Sequence, residues 1–411
     1  MTTLSVPERI RAFNADRDPV LLDTKYAAMR ESSFRFFRGT SHLFNGDIPD
    51  NSFIWKSPQT WNVGDLHLEN FGSFKADNRV AYFDLNDFDE CILAPTLADL
   101  ARLTCSLFVA ADFLQLNGAQ ASHLAKTLVS AYAATLAHGY IRPLEQETAT
   151  GIIRRFLRLV ENRKRRAFLA SQIVYKKRKA RFSKHNLHLR KADKTTQERI
   201  SNAIHAWAET QPVPRFFNVL DVAHRVAGTG SLGIERFAIL VAGPGKAGKE
   251  CMLDLKRGLP ATLESRLARH QPHWTSQAER IVEVQKRIQA ASPALLYPLV
   301  LPGGQSYVLR ELQPMEDKIA LSDLAGKVNK LASLVGSMGR LSAWGCLRSG
   351  GRQGSAIADE LIAFGREADS WQEPLLDYAR QYAGQVRSDY KTYAQAYDEA
   401  YFKPVGLTQP S

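Results

Sequence analysis

The sequence predicts an α+β fold, with a small antiparallel sheet and a larger helical part. Short β-branched runs separated by glycine-rich turns lie between residues 222 and 312. Apolar residues with helical spacing flank them at 24–45, at 95–140 with a break at Asn117-Gly118, and from 321 onward. The chain has 411 residues, of which 45% are apolar and 23% charged, enough for two or three packed units of a soluble protein.

The composition excludes several classes of protein. The N-terminal residues contain no apolar signal core, and no stretch approaches the roughly 18 uninterrupted apolar residues of a membrane helix, so we expect a cytoplasmic protein that does not bind membranes. The four cysteines form no C-x-x-C pair, which argues against a disulfide scaffold or a zinc ribbon and for buried thiols. They are Cys91, Cys105, Cys251 and Cys346.

The formal net charge of +12 is concentrated in residues 154–199, which hold 17 Lys or Arg against three acidic residues. This segment predicts a helix pair that contacts an acidic substrate or nucleic acid, or that is a solvated helical surface. Its aromatic residues are either stacking platforms for bases or, as we favour, core anchors. These residues are Phe156, Phe168, Tyr175 and Phe182.

An acidic cluster follows Trp61 in the run GDLHLENFG. Asp65 and Asn70 are five residues apart, the offset between the base and the metal-binding asparagine of a kinase catalytic loop. A strand predicted at 80–83 then leads to the acidic run DLNDFDE, where Asp87-Phe88-Asp89 resembles the D-F-G of kinases. Since Mg²⁺ prefers oxygen ligands, the spacing predicts Asp65 as catalytic base and Asn70 with Asp87 as metal ligands.

Two alternatives stay open within this cluster. Asp84 competes with Asp87 for the metal because it lies 14 residues after Asn70. His67 either contacts a phosphate or, as we favour, braces the loop by hydrogen bonds.

A glycine-rich turn between two predicted strands is the second motif. The sequence around it is β-branched and aromatic rather than helical, so a kinase nucleotide loop fits better than a Rossmann fingerprint. The expected cofactor-binding residues are Gly228, Thr229, Gly230, Ser231 and Gly233. The segment GPGKAGK at 243–249 lacks the Ser or Thr that ends a Walker A motif, and we interpret it as a hairpin turn.

Lys256 ends the next predicted strand, as the phosphate-binding lysine of a kinase does. The following helical region offers Glu264, Glu279 and Glu283 as ion-pair partners, and the last two share a helical face. Residues 1–220 would then form a helical lobe with the catalytic loop and the basic segment, 221–320 the nucleotide-binding lobe, and 321–411 the remaining helices. Kinases have these blocks in the opposite order, so the prediction is a circularly permuted, two-lobed kinase-like fold.

The runs WNVGDLHLENFG and FDLNDFDE resemble a bacterial family called domain of unknown function 2252. Further segments of similarity extend along most of the chain, among them MRESSFRFFRGTSHLF, DVAHRVAGTGSLG and YVLRELQPM. These segments together are much more specific than any one motif, and the family carries no established activity.

More distantly, GDLHLEN resembles the H-G-D-x-H-x-x-N motif of aminoglycoside phosphotransferases and choline kinases. Those families carry a D-[IL]-A motif about twelve residues after the metal aspartate, and Asp99 lies twelve residues after Asp87, which favours Asp87 over Asp84. The resemblance implies ATP- and Mg²⁺-dependent phosphorylation of a small molecule or protein. The alternative is a nucleotide sensor or nucleic-acid-binding protein that uses the basic segment.

Overall fold

The computed structural model describes residues 4–163, 165–176, 179–226, 228, 230–245, 248–312 and 318–403. Within these ranges helices predominate, and the strands form one six-stranded sheet and three two-stranded pairs. The predicted α+β class is therefore confirmed.

Four short helices form the N-terminal region: α1 (Val6–Phe13), α2 (Pro19–Arg30), α3 (Ser33–Gly39) and α4 (Ser41–Asp47). The prediction of one continuous helix over 24–45 was wrong. The side chain of Ser32 accepts a hydrogen bond from the backbone N–H of Arg35, and this N-cap begins a new helix where the previous one ends.

The segment with the acidic cluster consists of two strand pairs. The strands are β1 (Gln59–Asn62), β2 (Phe71–Lys75), β3 (Ala81–Leu85) and β4 (Ile92–Pro95). Strand β1 pairs with β4, and β2 pairs with β3, both antiparallel. The strand predicted at 80–83 is confirmed as part of β3.

Two helices follow, α5 (Thr96–Val109) and α6 (Gly118–His138). The predicted break between them is confirmed, because the side chain of Asn117 accepts a hydrogen bond from the backbone N–H of Gln120 and begins α6.

The basic segment is not the expected helix pair. Its elements are α7 (Gly151–Glu161), α8 (Arg165–Gln172), β5 (Ile173–Lys176), β6 (Lys179–Phe182), β7 (Leu189–Lys191) and α9 (Lys194–Ala208). Strands β5 and β6 pair with each other. Ile173 and Phe182, which are cross-strand partners in this pair, are buried and give the strands an apolar side to pack.

The large sheet contains the strands predicted between residues 222 and 312 and one further strand, β7. Its region comprises β8 (Val219–Arg225), β9 (Arg236–Val241), β10 (Cys251–Arg257), α10 (Glu264–Leu267), α11 (Gln277–Ile288), β11 (Tyr297–Val300) and β12 (Ser306–Glu311). The strand order is β11-β12-β10-β9-β8-β7, with antiparallel neighbours throughout.

Both faces of this sheet are covered by the basic segment. Ile200 and Ile204 of α9 pack on one face, in a cluster with Leu253 and Leu255. The β5–β6 pair packs on the other face. Strand β7 and the elements that cover the sheet thus lie before residue 221 in the chain.

Three C-terminal helices complete the main core: α12 (Val328–Ser349), α13 (Ala358–Arg366) and α14 (Gln372–Asp398). Helices α12 and α6 cross closely at Gly339, where a Cβ atom would lie 2.3 Å from the carbonyl oxygen of Leu128. All four cysteines are buried and free, as predicted. In the described part of the chain, every helix is too short or too polar to cross a membrane.

Candidate active site

A cavity of about 310 Å³ brings the acidic cluster and the glycine-rich turn together. Four parts of the chain line it: the acidic segment, the glycine-rich turn with the start of β9, the N-terminal region, and the end of β10 with the loop after it. The lining residues are Phe13, Asp16, Arg17, Arg38, Gly39, Ser41, Asp65, Asp87, Asp89, Glu90, Gly230, Ser231, Gly233, Ile234, Glu235, Arg257, Leu259 and Pro260.

Asp65 lies in the loop between β1 and β2 and is held by Arg102 of α5. The Nε atom of Arg102 donates to Oδ1 of Asp65 at 2.6 Å, while Nη2 of Arg102 donates to the carbonyl of Phe37 at 3.0 Å. The Arg102 guanidinium also lies 4.2 Å from the Phe37 ring centroid. Burial raises the pKa of Asp65 to about 7, although Arg102 opposes the shift. A carboxylate that titrates near neutral pH suits a general base.

The loop that carries Asp65 is fastened to α5 by Asp99. The side chain of Asp99 accepts hydrogen bonds from the backbone N–H groups of Val63 at 2.6 Å and Gly64 at 2.9 Å. Burial raises the pKa of Asp99 to about 6. Gly64 has φ +85°, and a Cβ there would lie 1.9 Å from the carbonyl oxygen of Glu90, so the loop and the acidic run approach each other closely.

His67 makes the bracing contact that was one of the two alternatives for it. Its Nδ1 accepts a hydrogen bond from the backbone N–H of Glu69 at 3.2 Å. The ring is buried, and burial holds the pKa of His67 well below its ordinary value. A neutral ring bonded within its own loop positions that loop.

Asn70 and Asp87 have the features expected of metal ligands. The Oδ1 atom of Asn70 is buried and has no hydrogen-bond partner in the described ranges. Its backbone carbonyl accepts from the N–H of Asn86 at 2.6 Å, which fixes the start of the segment that carries Asp87. Asp87 has φ +89°, a conformation rare outside glycine and common at functional sites.

Several cations surround Asp87. Burial raises the pKa of Asp87, but Lys256, Lys318 and Arg310 outweigh that effect and hold it below the ordinary value. The carboxylate is therefore ionised at neutral pH and available to a cation.

Asp84, the competing metal ligand, is engaged elsewhere. Its Oδ2 accepts from Nη2 of Arg348 at 2.9 Å and from the backbone N–H of Ala290 at 3.0 Å, and its Oδ1 accepts from Leu85 at 2.8 Å. The side chain is buried with only 1% exposed. This side chain joins β3 to α12 and to the chain after α11, and these contacts favour Asp87 over Asp84 as the candidate metal ligand.

Lys256 forms its ion pair with Asp89, not with α11. The expected partners are occupied elsewhere: Glu279 accepts hydrogen bonds from Thr275 at the start of α11, and Glu283 pairs with Lys286 at 3.3 Å. Glu264, the third possible partner, accepts a hydrogen bond from the side chain of Gln277 at 3.1 Å, so Lys256 pairs with none of the three glutamates that the sequence offered. Because Ser276 caps the helix through the N–H of Glu279, Glu279 lies in the first turn and points to the preceding loop.

Helix α11 instead contributes Arg280, which sequence reasoning missed. Its Nη2 donates to the carbonyls of Leu259 at 2.7 Å and Asp89 at 3.1 Å, and its Nη1 donates to the carbonyl of Cys91. This buried arginine holds the acidic run against the loop that follows β10. A basic residue between two glutamates on an amphipathic helix carries no recognisable signal for this role.

The glycine-rich turn meets the N-terminal helices. Nη1 of Arg17 donates to the carbonyls of Gly230 at 2.6 Å and Leu232 at 3.1 Å, and Nζ of Lys25 donates to Gly230 at 3.2 Å. Gly228 and Gly233 have φ +81° and +87°, conformations that require glycine. Thr229 lies outside the described residues.

The aromatic residues of the basic segment are mostly core residues. Phe168 and Phe182 pack on the large sheet, and Phe156 contacts the ring of Phe83. Tyr175 is 48% exposed, but its hydroxyl donates to Glu250 at 2.8 Å. These contacts favour core anchors over stacking platforms. Lys164, Lys177 and Arg178 of this segment lie outside the described residues.

The fit of a magnesium ion depends on Asn70 and Asp87. Among the residues that the structure describes, no three His, Cys, Asp or Glu side chains are grouped so as to hold a metal ion. Mg²⁺ usually takes only one or two carboxylates and completes its shell with water and phosphate oxygens. The unpartnered Oδ1 of Asn70 and the carboxylate of Asp87 match that type of site.

Comparisons with known proteins identify a family. No curated protein and no solved structure matches the chain. The family model described as "Uncharacterized protein conserved in bacteria (DUF2252)" matches residues 17–396, a range that contains the acidic cluster, the glycine-rich turn and most of the C-terminal helices. The chain therefore belongs to the DUF2252 family of uncharacterized proteins conserved in bacteria.

Proposed function

We propose that this protein is an ATP- and Mg²⁺-dependent phosphotransferase with a kinase-like fold. The observation that carries the proposal is the shared cavity, because Asp65 and Asp87 line it together with Gly230, Ser231 and Gly233. Phosphoryl transfer requires a base, an anionic metal ligand and close-approaching backbone around the phosphates.

Each part of this site has a proposed role. Asp65 accepts the proton of the acceptor hydroxyl, a task suited to a carboxylate whose pKa is about 7. Asn70 and Asp87 hold Mg²⁺, which supplies neutralisation of the phosphate charge. The glycine-rich turn lets backbone N–H groups approach the phosphates without side-chain obstruction. Arg102 and Asp99 keep Asp65 and its loop in place.

The element order supports a kinase-like nucleotide lobe. From β8 the chain passes through the glycine-rich turn, β9, a hairpin, the lysine-bearing β10, α11 and then β11 and β12. A kinase has the same sequence of strand, glycine loop, strand, lysine strand, helix and further strands. Since the loop with Asp65 precedes this lobe, the proposal includes a circular permutation.

A transfer assay tests the proposal. The protein is incubated with Mg²⁺ and labelled ATP, alone and with a panel of small hydroxyl-containing acceptors and mixed proteins. Wild type is compared with Asp65→Asn, Asp87→Asn and the surface control Asp377→Asn, whose carboxylate pairs with Arg380 on α14. We expect turnover to fall about 10²–10⁴-fold in Asp65→Asn and to be unchanged in the control. Equal turnover in all four proteins would refute the assignment.

A nucleotide sensor without turnover is the second candidate. The observation that favours it is that both Asp65 and Lys256 are already engaged in ion pairs, with Arg102 and Asp89. Tight ATP binding by wild type without hydrolysis or transfer would support it. Salt-dependent RNA or DNA binding, lost when Lys176 and Lys179 are neutralised, would identify the basic segment as a nucleic-acid interface.

A further inference from the structure

The sequence suggested Lys256 as the residue that binds the phosphates of the nucleotide, but a cation from a different part of the chain fits this role better. Lys256 is buried and paired with Asp89, and it is not among the residues that line the cavity. Arg17, in the turn between α1 and α2, does line it. We infer that Arg17 is the side chain that binds the phosphates of the nucleotide. This inference rests on the phosphotransferase function proposed above.

Arg17 connects the glycine-rich turn to the cavity. Its Nη1 donates to the carbonyls of Gly230 and Leu232. In the described part of the chain, the guanidinium forms no ion pair with a carboxylate. Its planar fork matches phosphate oxygens, so a phosphate bound in the cavity is a fitting partner for it.

The other lining cations fit this role less well. Arg38 is already paired with Glu69 at 2.6 Å. Arg257, at the end of β10, lines a second cavity as well as this one. Of these three arginines, Arg17 is the one whose guanidinium hydrogen-bonds the glycine-rich turn in the described part of the chain.

The surroundings of Arg17 hold it in one position. Gly233 is so close that a Cβ atom there would lie 2.8 Å from Cβ of Arg17, and the N–H of Asp18 donates to the Gly233 carbonyl at 3.1 Å. The side chain of Lys25 donates to Oδ1 of Asn14 at 2.8 Å and, like Arg17, to the Gly230 carbonyl. The guanidinium is therefore preorganised, so a ligand would lose little entropy in ordering it.

The affinities of Arg17→Gln for ATP and for adenosine, measured by calorimetry with Mg²⁺ present, test the inference. Removal of a charge-assisted hydrogen bond predicts an ATP Kd raised about 10- to 100-fold, with an unchanged adenosine Kd. Arg17→Lys retains the charge and is expected to recover part of the ATP affinity. Arg35→Gln, at an exposed pair with Glu31, is the matched control and should bind as wild type does.

Each outcome decides between the two proposals. Unchanged ATP affinity in Arg17→Gln, or an equal loss of ATP and adenosine affinity, overturns the role of Arg17 and leaves the phosphotransferase proposal standing. If Arg17→Gln does not fold, an Arg17→Lys protein with unchanged ATP affinity and kcat likewise overturns it. Absence of ATP binding and turnover in wild type overturns the proposed function, and this inference with it.

Discussion

Asp84 and Asp87 are three residues apart, but their substitution should have opposite consequences. Asp84→Ala removes a buried carboxylate that accepts hydrogen bonds from Arg348, Leu85 and Ala290. The charge of Arg348 is left nearly buried and unpaired, which costs about 3–5 kcal/mol of unfolding free energy. Burial raises the pKa of Asp84 even though Arg348 lowers it. The attraction between the two charges therefore only roughly offsets the free-energy cost of removing them from water. The double variant Asp84→Ala/Arg348→Met should therefore recover most of the lost stability.

Asp87→Asn should abolish turnover and cost less stability than Asp84→Ala. In the described part of the chain Asp87 makes no direct ion pair, and asparagine tolerates positive φ, so the expected loss is limited to the attraction of the carboxylate to Lys256, Lys318 and Arg310. Urea unfolding followed by circular dichroism gives the stabilities, and Mg²⁺-ATP turnover gives the activity. A stable Asp84→Ala protein that has lost Mg²⁺-dependent activity, beside an active Asp87→Asn protein, would reverse the assignment.

Further predictions concern pH and glycines. Because burial raises the pKa of Asp65 from 3.8 to about 7, turnover should fall as pH drops through about 7. The unfolding free energy should fall as pH rises from 3.8 to about 7 and then level off, because only between these values does the folded state bind more protons than the unfolded state. Profiles of kcat/KM and of urea midpoints against pH check both signs. Gly233→Ala should weaken ATP binding because its methyl group meets Arg17, whereas Gly245→Ala, also at positive φ but in open space, should leave the measured ATP Kd unchanged. In thermal unfolding, Gly339→Ala should lower Tm because its methyl group meets the α6 backbone, while Gly384→Ala, unobstructed in α14, should add up to about 1 kcal/mol.

Local sequence features predicted the elements around the acidic cluster, but not their conformations. The alternation that predicts β3 lies within a few residues, and the cap at Asn117 is a short-range signal. The positive φ of Asp87 and the unpartnered amide of Asn70 depend on packing around them, which no local pattern encodes. The spacing therefore indicated both Asp84 and Asp87, whereas the different contacts of these two side chains depend on tertiary packing.

Long-range partners were the main source of error. Glu279 and Glu283 both satisfied helical spacing, but the cap at Ser276 sets the start of α11 and directs Glu279 to Thr275. The partner of Lys256 is Asp89, far away in sequence, and a sequence pattern cannot select among distant carboxylates. For the same reason, the sequence did not indicate Arg17, whose contacts with Gly230 and Leu232 are also distant in sequence. Arg102 was accessible in principle, since it lies three residues after Asp99 on one face of α5.

The proposed circular permutation requires that the chain ends lie close together, because only then can a break elsewhere leave the packing intact. The first and last described helices meet this condition. Arg30 of α2 pairs with Asp398 of α14 at 2.8 Å, and the hydroxyl of Tyr393 donates to the carbonyl of Tyr26 at 2.7 Å. The Arg11 guanidinium lies 3.6 Å from the ring centroid of Tyr401. Helices α1 and α2 thus link α14 to the glycine-rich turn, through the contacts of Arg17 and Lys25. If the proposed permutation and nucleotide site are correct, these N-terminal helices form one wall of the nucleotide cavity.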